Sequence, residues 1–183
     1  MLAAKLGSRV VAVDLDEASI DKLFAEARRE DADILPLVVN LVRPLPALEA
    51  KVFDAEPSLS LIGDGAPVIS APNERFRCDM VIALAIVHHL ALGQGHPFDE
   101  IAKVLSGLAG KYLCVEFVDL DDKMITGDPG FFPAYNASPG SFTWYSKDNF
   151  VTALGFDFDR IEEVPSEPDT RTLLFCTRTE RTN

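Results

Sequence analysis

The chain has 183 residues, a formal net charge of -12, 48% hydrophobic residues and 25% charged residues. That length and balance fit one folded domain with a sizeable core and argue against large-scale disorder. The acidic excess argues against a nucleic-acid backbone or an anionic membrane as the main partner, and favours a cationic ligand. No stretch is long and apolar enough to span a bilayer, and the N-terminus lacks a signal-peptide pattern. Cys78, Cys114 and Cys176 lie far apart, in or beside apolar runs, without metal-ligand spacing. They are expected to be buried free thiols of a cytoplasmic protein.

In chain order, residues 2–7 read as the last turn of a helix stopped by Gly7. Residues 9–14 form a short β-branched run, expected to be a buried parallel strand ending in acid. A helix follows over about 19–31, with Ile20, Leu23, Phe24 and Ala27 on one face. Residues 34–41 predict a second strand, closed by Pro44 and Pro46. A helix is expected near 47–55, then loop to about residue 75. Residues 78–85 predict a third strand, whose exit runs into His88 and His89. Pro97 precedes a helix over 98–108, stopped by Gly110. Residues 111–118 predict a fourth strand. Residues 119–145 read as a long aromatic-rich loop. Ser146 caps a short helix ended by Gly155. Residues 156–164 and 171–177 predict two strands whose short link forces antiparallel pairing.

Strand–helix repetition of this kind predicts an α/β fold with a mainly parallel sheet and a closing antiparallel pair. In such sheets ligands sit off the carboxyl ends of the strands, where this chain places acids and histidines. Asp14, with Asp16 beside it, stands where a carboxylate accepts two hydrogen bonds from a ribose diol, or caps the next helix. Asn40 offers a donor and an acceptor to an adenine edge, or serves as a turn residue. His88 and His89 are candidates for a general base at a crevice, or for a structural pair at a helix start. With His96 they raise metal binding, but the spacing fits no zinc pattern and no carboxylate partner at helical offset is evident, so no metal is expected. Glu116 is a candidate for positioning substrate, whereas Asp121 and Asp122 read as a solvated loop.

Together these stretches resemble class I S-adenosylmethionine-dependent methyltransferases. Residues 8–21, SRVVAVDLDEASID, look like the second-strand motif, and residues 81–90, VIALAIVHHL, like the fourth-strand motif and its exit. Residues 112–125, YLCVEFVDLDDKMI, and 171–178, RTLLFCTR, resemble a nodulation-protein-like subset. The resemblance implies a Rossmann-like sheet and S-adenosyl-L-methionine as cofactor. It places Asp14 on the cofactor ribose, Asn40 and the Leu41 backbone near adenine, and Leu84 and Ala85 along the cofactor crevice. His88 or His89 would face the substrate side. The methyl acceptor stays open among small molecules, glycans and protein side chains.

One departure stands out. The family's first strand ends in an acidic Gly-x-Gly turn, yet Gly7 is the only glycine before residue 40. The first strand is therefore expected to be missing from this chain, leaving a gap between the strand of Asp14 and that of Ala85. Rearrangement, a partner strand or homo-oligomerisation would fill it. Two other readings remain at this point: a nicotinamide-dependent oxidoreductase, and a catalytically inactive methyltransferase fold used for interaction.

Overall fold

Residues 1–42, 48–49, 68–69, 75–127 and 132–179 are described by the computed structural model. They fall into two units, Met1–Phe76 and Arg77–Asn183, taken here in turn.

In the first unit a one-turn helix, Leu2–Lys5, is followed by Gly7 at φ +89°, a left-handed stop that suits glycine. Strand β1, Val10–Asp14, pairs in parallel with β2, Ile34–Val38, from Val10↔Ile34 to Asp14↔Val38. Pro36 lacks an N–H, which a strand can tolerate at the edge of a sheet. The crossover is the helix Glu17–Arg29, which starts earlier than its apolar face suggests because Asp16 is its N-cap. Ile20 and Ala27 are buried, but Phe24, on the same predicted face, is 51% exposed. Strands β3, Leu48–Glu49, and β4, Val68–Ile69, pair antiparallel. Strand pairing therefore replaces the expected helix at Leu48–Glu49, and the rest of that predicted helix lies outside the described residues.

The second unit carries a four-stranded sheet of order β5-β6-β8-β7, made of Cys78–Ala83, Ala109–Val118, Arg171–Thr177 and Arg160–Pro165 respectively. Strands β5 and β6 run parallel; β8 is antiparallel to both β6 and β7. The α/β class expected from the sequence stands. Among the described residues its sheets are mixed, with two parallel and three antiparallel pairings. Helix Phe98–Leu108 joins β5 to β6 and buries Phe98, Ile101 and Leu105. Gly110, expected to stop that helix, is already a residue of β6. A Cβ there would lie 2.9 Å from the Cys78 carbonyl oxygen, so the close approach of β5 requires glycine.

The core of this unit sets a cluster of aromatic rings among aliphatic side chains. Phe98 meets Phe150 and Trp144 at ring-centroid distances of 4.9 Å, and Phe117 stacks on Tyr145 at 5.1 Å. Burying each such ring stabilises the fold by about 1.5–3 kcal/mol. Phe150 comes from helix Lys147–Leu154, whose N-cap Ser146 accepts the Asn149 N–H. The expected long loop after β6 contains short helices at Lys123–Thr126, Pro133–Ala137 and Pro139–Phe142. Residues 128–131 lie outside the described part. Of the three thiols expected to be buried, Cys176 is; Cys114 is partly covered and Cys78 is exposed. Burial pushes the Cys176 thiol up to about 12, so it is no nucleophile at neutral pH.

Candidate functional site

In the first unit the candidate residues gather where β1 and β2 end. Asp14 closes β1 and is exposed. Its Oδ1 accepts the Asp16 N–H at 3.0 Å, which turns the chain out of the strand. Asp16 Oδ1 accepts the Ala18 N–H at 3.1 Å and Oδ2 accepts the Ser19 hydroxyl at 2.6 Å. The Ser19 hydroxyl, followed by the Ala18 amide, lowers the Asp16 carboxyl below its ordinary range. Both Asp16 oxygens therefore serve the cap, and Asp14 is the better placed of the two for a ligand. The Asp14 carbonyl accepts the Val39 N–H at 3.0 Å, which sets Asn40 just past the paired ends. Asn40 Oδ1 accepts the Val42 N–H at 3.1 Å, so its amide shapes the turn, with the partly buried Leu41 between them.

In the second unit β5 ends at Ala83, two residues before expectation, because Ala85 leaves the extended region at φ +52°. A left-handed backbone at a residue with a Cβ costs about 1–2 kcal/mol. The Ala85 N–H donates to Glu116 Oε2 at 3.0 Å, across from β5 to β6. Leu84 beside it is 54% exposed. Glu116, expected on the substrate side, is only 7% exposed and lies 3.7 Å from Arg171 Nη1.

Arg171 continues the network. Its Nε donates to Asp122 Oδ2 at 2.9 Å and its Nη2 to Oδ1 at 3.4 Å. Asp122 also accepts the Thr170 hydroxyl at 2.6 Å and the Met124 N–H at 2.7 Å. The Arg171 guanidinium is the main cause holding this carboxyl far below the usual range. Asp122 was expected to be solvated, yet it is 1% exposed. The available signal was its place as N-cap of the next helix, Lys123–Thr126. Nothing in the sequence pairs it with Arg171, 49 residues away.

The two histidines divide. His88 is 1% exposed, with its ring 4.3 Å from that of His89 and 5.6 Å from Phe132. Burial, then the neighbouring His89 and Arg171, bring His88 down to about 4, so its imidazole is neutral at pH 7. Its Nδ1 has no hydrogen-bond partner among the described residues. His89 is half-buried, 5.4 Å from Phe132, and opens a π-helical turn, His89–Gly93. Such turns recur at functional sites. His96 Nδ1 lies 3.0 Å from Glu100 Oε2, so the carboxylate at helical offset found missing in the sequence is Glu100. Among the described residues no group of three His, Cys, Asp or Glu side chains is arranged to hold a metal. No described helix is long and apolar enough to cross a membrane.

In both units the candidate residues lie at the carboxyl ends of parallel strands, where open α/β sheets bind ligands. The fold is α/β and Rossmann-like. It is similar to magnesium protoporphyrin IX methyltransferase (ChlM) from Synechocystis PCC 6803, solved with bound SAH. The TM-score is 0.52 at 13% identity, covering 96% of this chain and 67% of that one. A possible exported protein from Bordetella parapertussis matches with a TM-score of 0.50 at 9% identity, over 92% of this chain and 52% of that one. By sequence, the chain is similar to nodulation protein NoeA of Rhizobium meliloti (strain 1021), 26% identical over 132 residues. That alignment takes in 70% of this chain and 25% of NoeA, so the chain spans about a quarter of its relative's length. No family model matches the chain.

Proposed function

We propose that this chain carries out S-adenosylmethionine-dependent methyl transfer. The observation that carries the reading is the exposed Asp14 carboxylate at the tip of a parallel strand in a methyltransferase-type fold. The residues present fit the cofactor: the first unit offers an exposed acid for a ribose diol, and the net charge of -12 favours a sulfonium. The bound cofactor would supply an electrophilic methyl group.

In this reading Asp14 accepts the two ribose hydroxyls and Asp16 keeps the acid in place by capping the helix. Asn40 and the Leu41 backbone shape the turn beside the adenine. Leu84 and Ala85 line the cofactor. His89, half-buried where His88 is sealed, takes the proton from the acceptor's nucleophile, while His88 and Phe132 hold its ring. The rest of the catalysis is alignment of nucleophile and methyl group. The acceptor is a small molecule, a glycan or a protein side chain, and a cytoplasmic setting suits three free thiols.

Calorimetric titration of this chain with S-adenosylhomocysteine and, separately, with NAD tests the reading. Binding of the first and not the second is expected. Binding of NAD alone, or of neither, rejects it.

A further inference from the structure

We propose that Glu116 is a positioning residue that holds the Leu84–Ala85 turn in its ligand-binding shape through the Ala85 N–H. The inference rests on the methyltransferase reading, under which that turn lines the cofactor. Ala85 is one of two non-glycine residues with positive φ among those described; the other, Asp31, directly follows the C-cap of a helix. Asp adopts this conformation more readily than Ala, whose Cβ opposes it and which has no polar side chain to compensate. A strained backbone persists only where its surroundings over-determine it. Here the determinant is visible: a carboxylate oxygen 3.0 Å from the Ala85 amide nitrogen.

The acceptor is itself held. Glu116 lies on β6 beside Val115, the register partner of Ala83, so the sheet brings it level with the exit of β5. A buried carboxylate persists only if paired. Arg171 supplies the opposite charge at 3.7 Å, and Asp122, fastened by Thr170 and Met124, fixes Arg171 from its other side. The outcome is a relay of two buried carboxylates and a partly exposed guanidinium, ending on one exposed turn. If Glu116 served only as a counter-charge for Arg171, its bond to Ala85 would be dispensable. Charge-assisted hydrogen bonds are the strong ones, and this one is spent on a backbone amide at the strand tip, where ligands bind.

The test compares S-adenosylhomocysteine affinity, by calorimetry, and amide exchange at Ala85 in the wild-type chain, Glu116→Asp, Glu116→Ala, and Glu116→Ala with Ala85→Gly. Glu116→Asp keeps a negative charge beside Arg171 but withdraws Oε2, which meets both Arg171 and the Ala85 N–H, by one methylene, so the Ala85→Gly rescue separates the two roles. Glu116→Asp is expected to weaken affinity about tenfold and to speed exchange at Ala85, as is Glu116→Ala. Ala85→Gly, which accepts positive φ freely, is expected to restore part of the affinity lost in Glu116→Ala. Should Glu116→Ala fail to fold, Glu116→Asp alone decides. Wild-type affinity in Glu116→Asp with unchanged exchange overturns the inference and leaves the methyltransferase reading standing. No binding by the wild-type chain rejects that reading, and the inference with it.

Discussion

Arg171, the first residue of β8, donates from Nε to Oδ2 of Asp122, the N-cap of helix Lys123–Thr126, at 2.9 Å. The carboxylate is buried and also accepts from Arg171 Nη2, the Thr170 hydroxyl and the Met124 N–H. Breaking a buried pair by removing one partner costs about 3–5 kcal/mol, since the other charge stays buried. Arg171 keeps a fifth of its side chain exposed, so Asp122→Ala is expected at the lower end of that range or below it. Asp122→Asn keeps the oxygen that caps the helix, and should cost less. Urea unfolding of the two variants checks the order; equal loss would show that the charge, and not the cap, accounts for the whole effect.

Stability should fall in acid in a window set by His88. Its folded value is about 4, below the unfolded value of about 6.5, so the unfolded chain binds more protons between these limits. The contribution is fully present above pH 6.5 and is lost as pH drops toward 4, by about 3 kcal/mol. Asp122 acts in the same direction at lower pH, because its folded carboxyl also lies below its unfolded value. Urea midpoints at pH 7 and pH 4.5 should differ for the wild-type chain and differ much less for His88→Phe. An equal drop in both would remove His88 from this role.

The two acids after β1 should separate by function. Asp14→Ala is expected to weaken S-adenosylhomocysteine binding by about tenfold or more. Asp16→Ala should lower the melting temperature, since it removes the cap from helix Glu17–Arg29, and Asp16→Ser should restore it. Calorimetry alongside thermal melting distinguishes them. An Asp16→Ala loss of affinity matching that of Asp14→Ala would place both acids on the ligand.

His89→Ala is expected to leave cofactor affinity nearly intact while lowering methyl transfer by about 100-fold, the scale of a lost general base. The assay follows labelled methyl from S-adenosylmethionine into whichever small-molecule, glycan or protein acceptor the wild-type chain modifies. Turnover unchanged in His89→Ala would take the histidine out of the chemistry and leave it, like His88, as packing around Phe132.

Where a residue's role is local, the sequence was sufficient. Helix Phe98–Leu108 and strand β8, Arg171–Thr177, have the limits their apolar spacing predicts, and Ser146 caps the helix it precedes. The antiparallel β7–β8 pair followed from a link too short for a crossover. Departures occur where a distant element decides. Gly110 was read as a helix stop but serves the approach of Cys78, and β5 stops early where the Ala85 N–H meets Glu116. Asp122 looked like one of several loop acids until Arg171 was folded against it.

By itself the sequence determined the α/β class, the order of its longer strands and helices, and which acids and histidines stand at strand ends. Those features depend on hydrophobic period, caps and turn residues, which act over a few positions. Only the tertiary structure decided which of the neighbouring acids and histidines are spent on the protein itself. Asp16 is consumed by its helix, His88 by the core, and Glu116 by the amide of Ala85. The last two outcomes are set by burial and by partners far along the chain, and neither is encoded in local spacing.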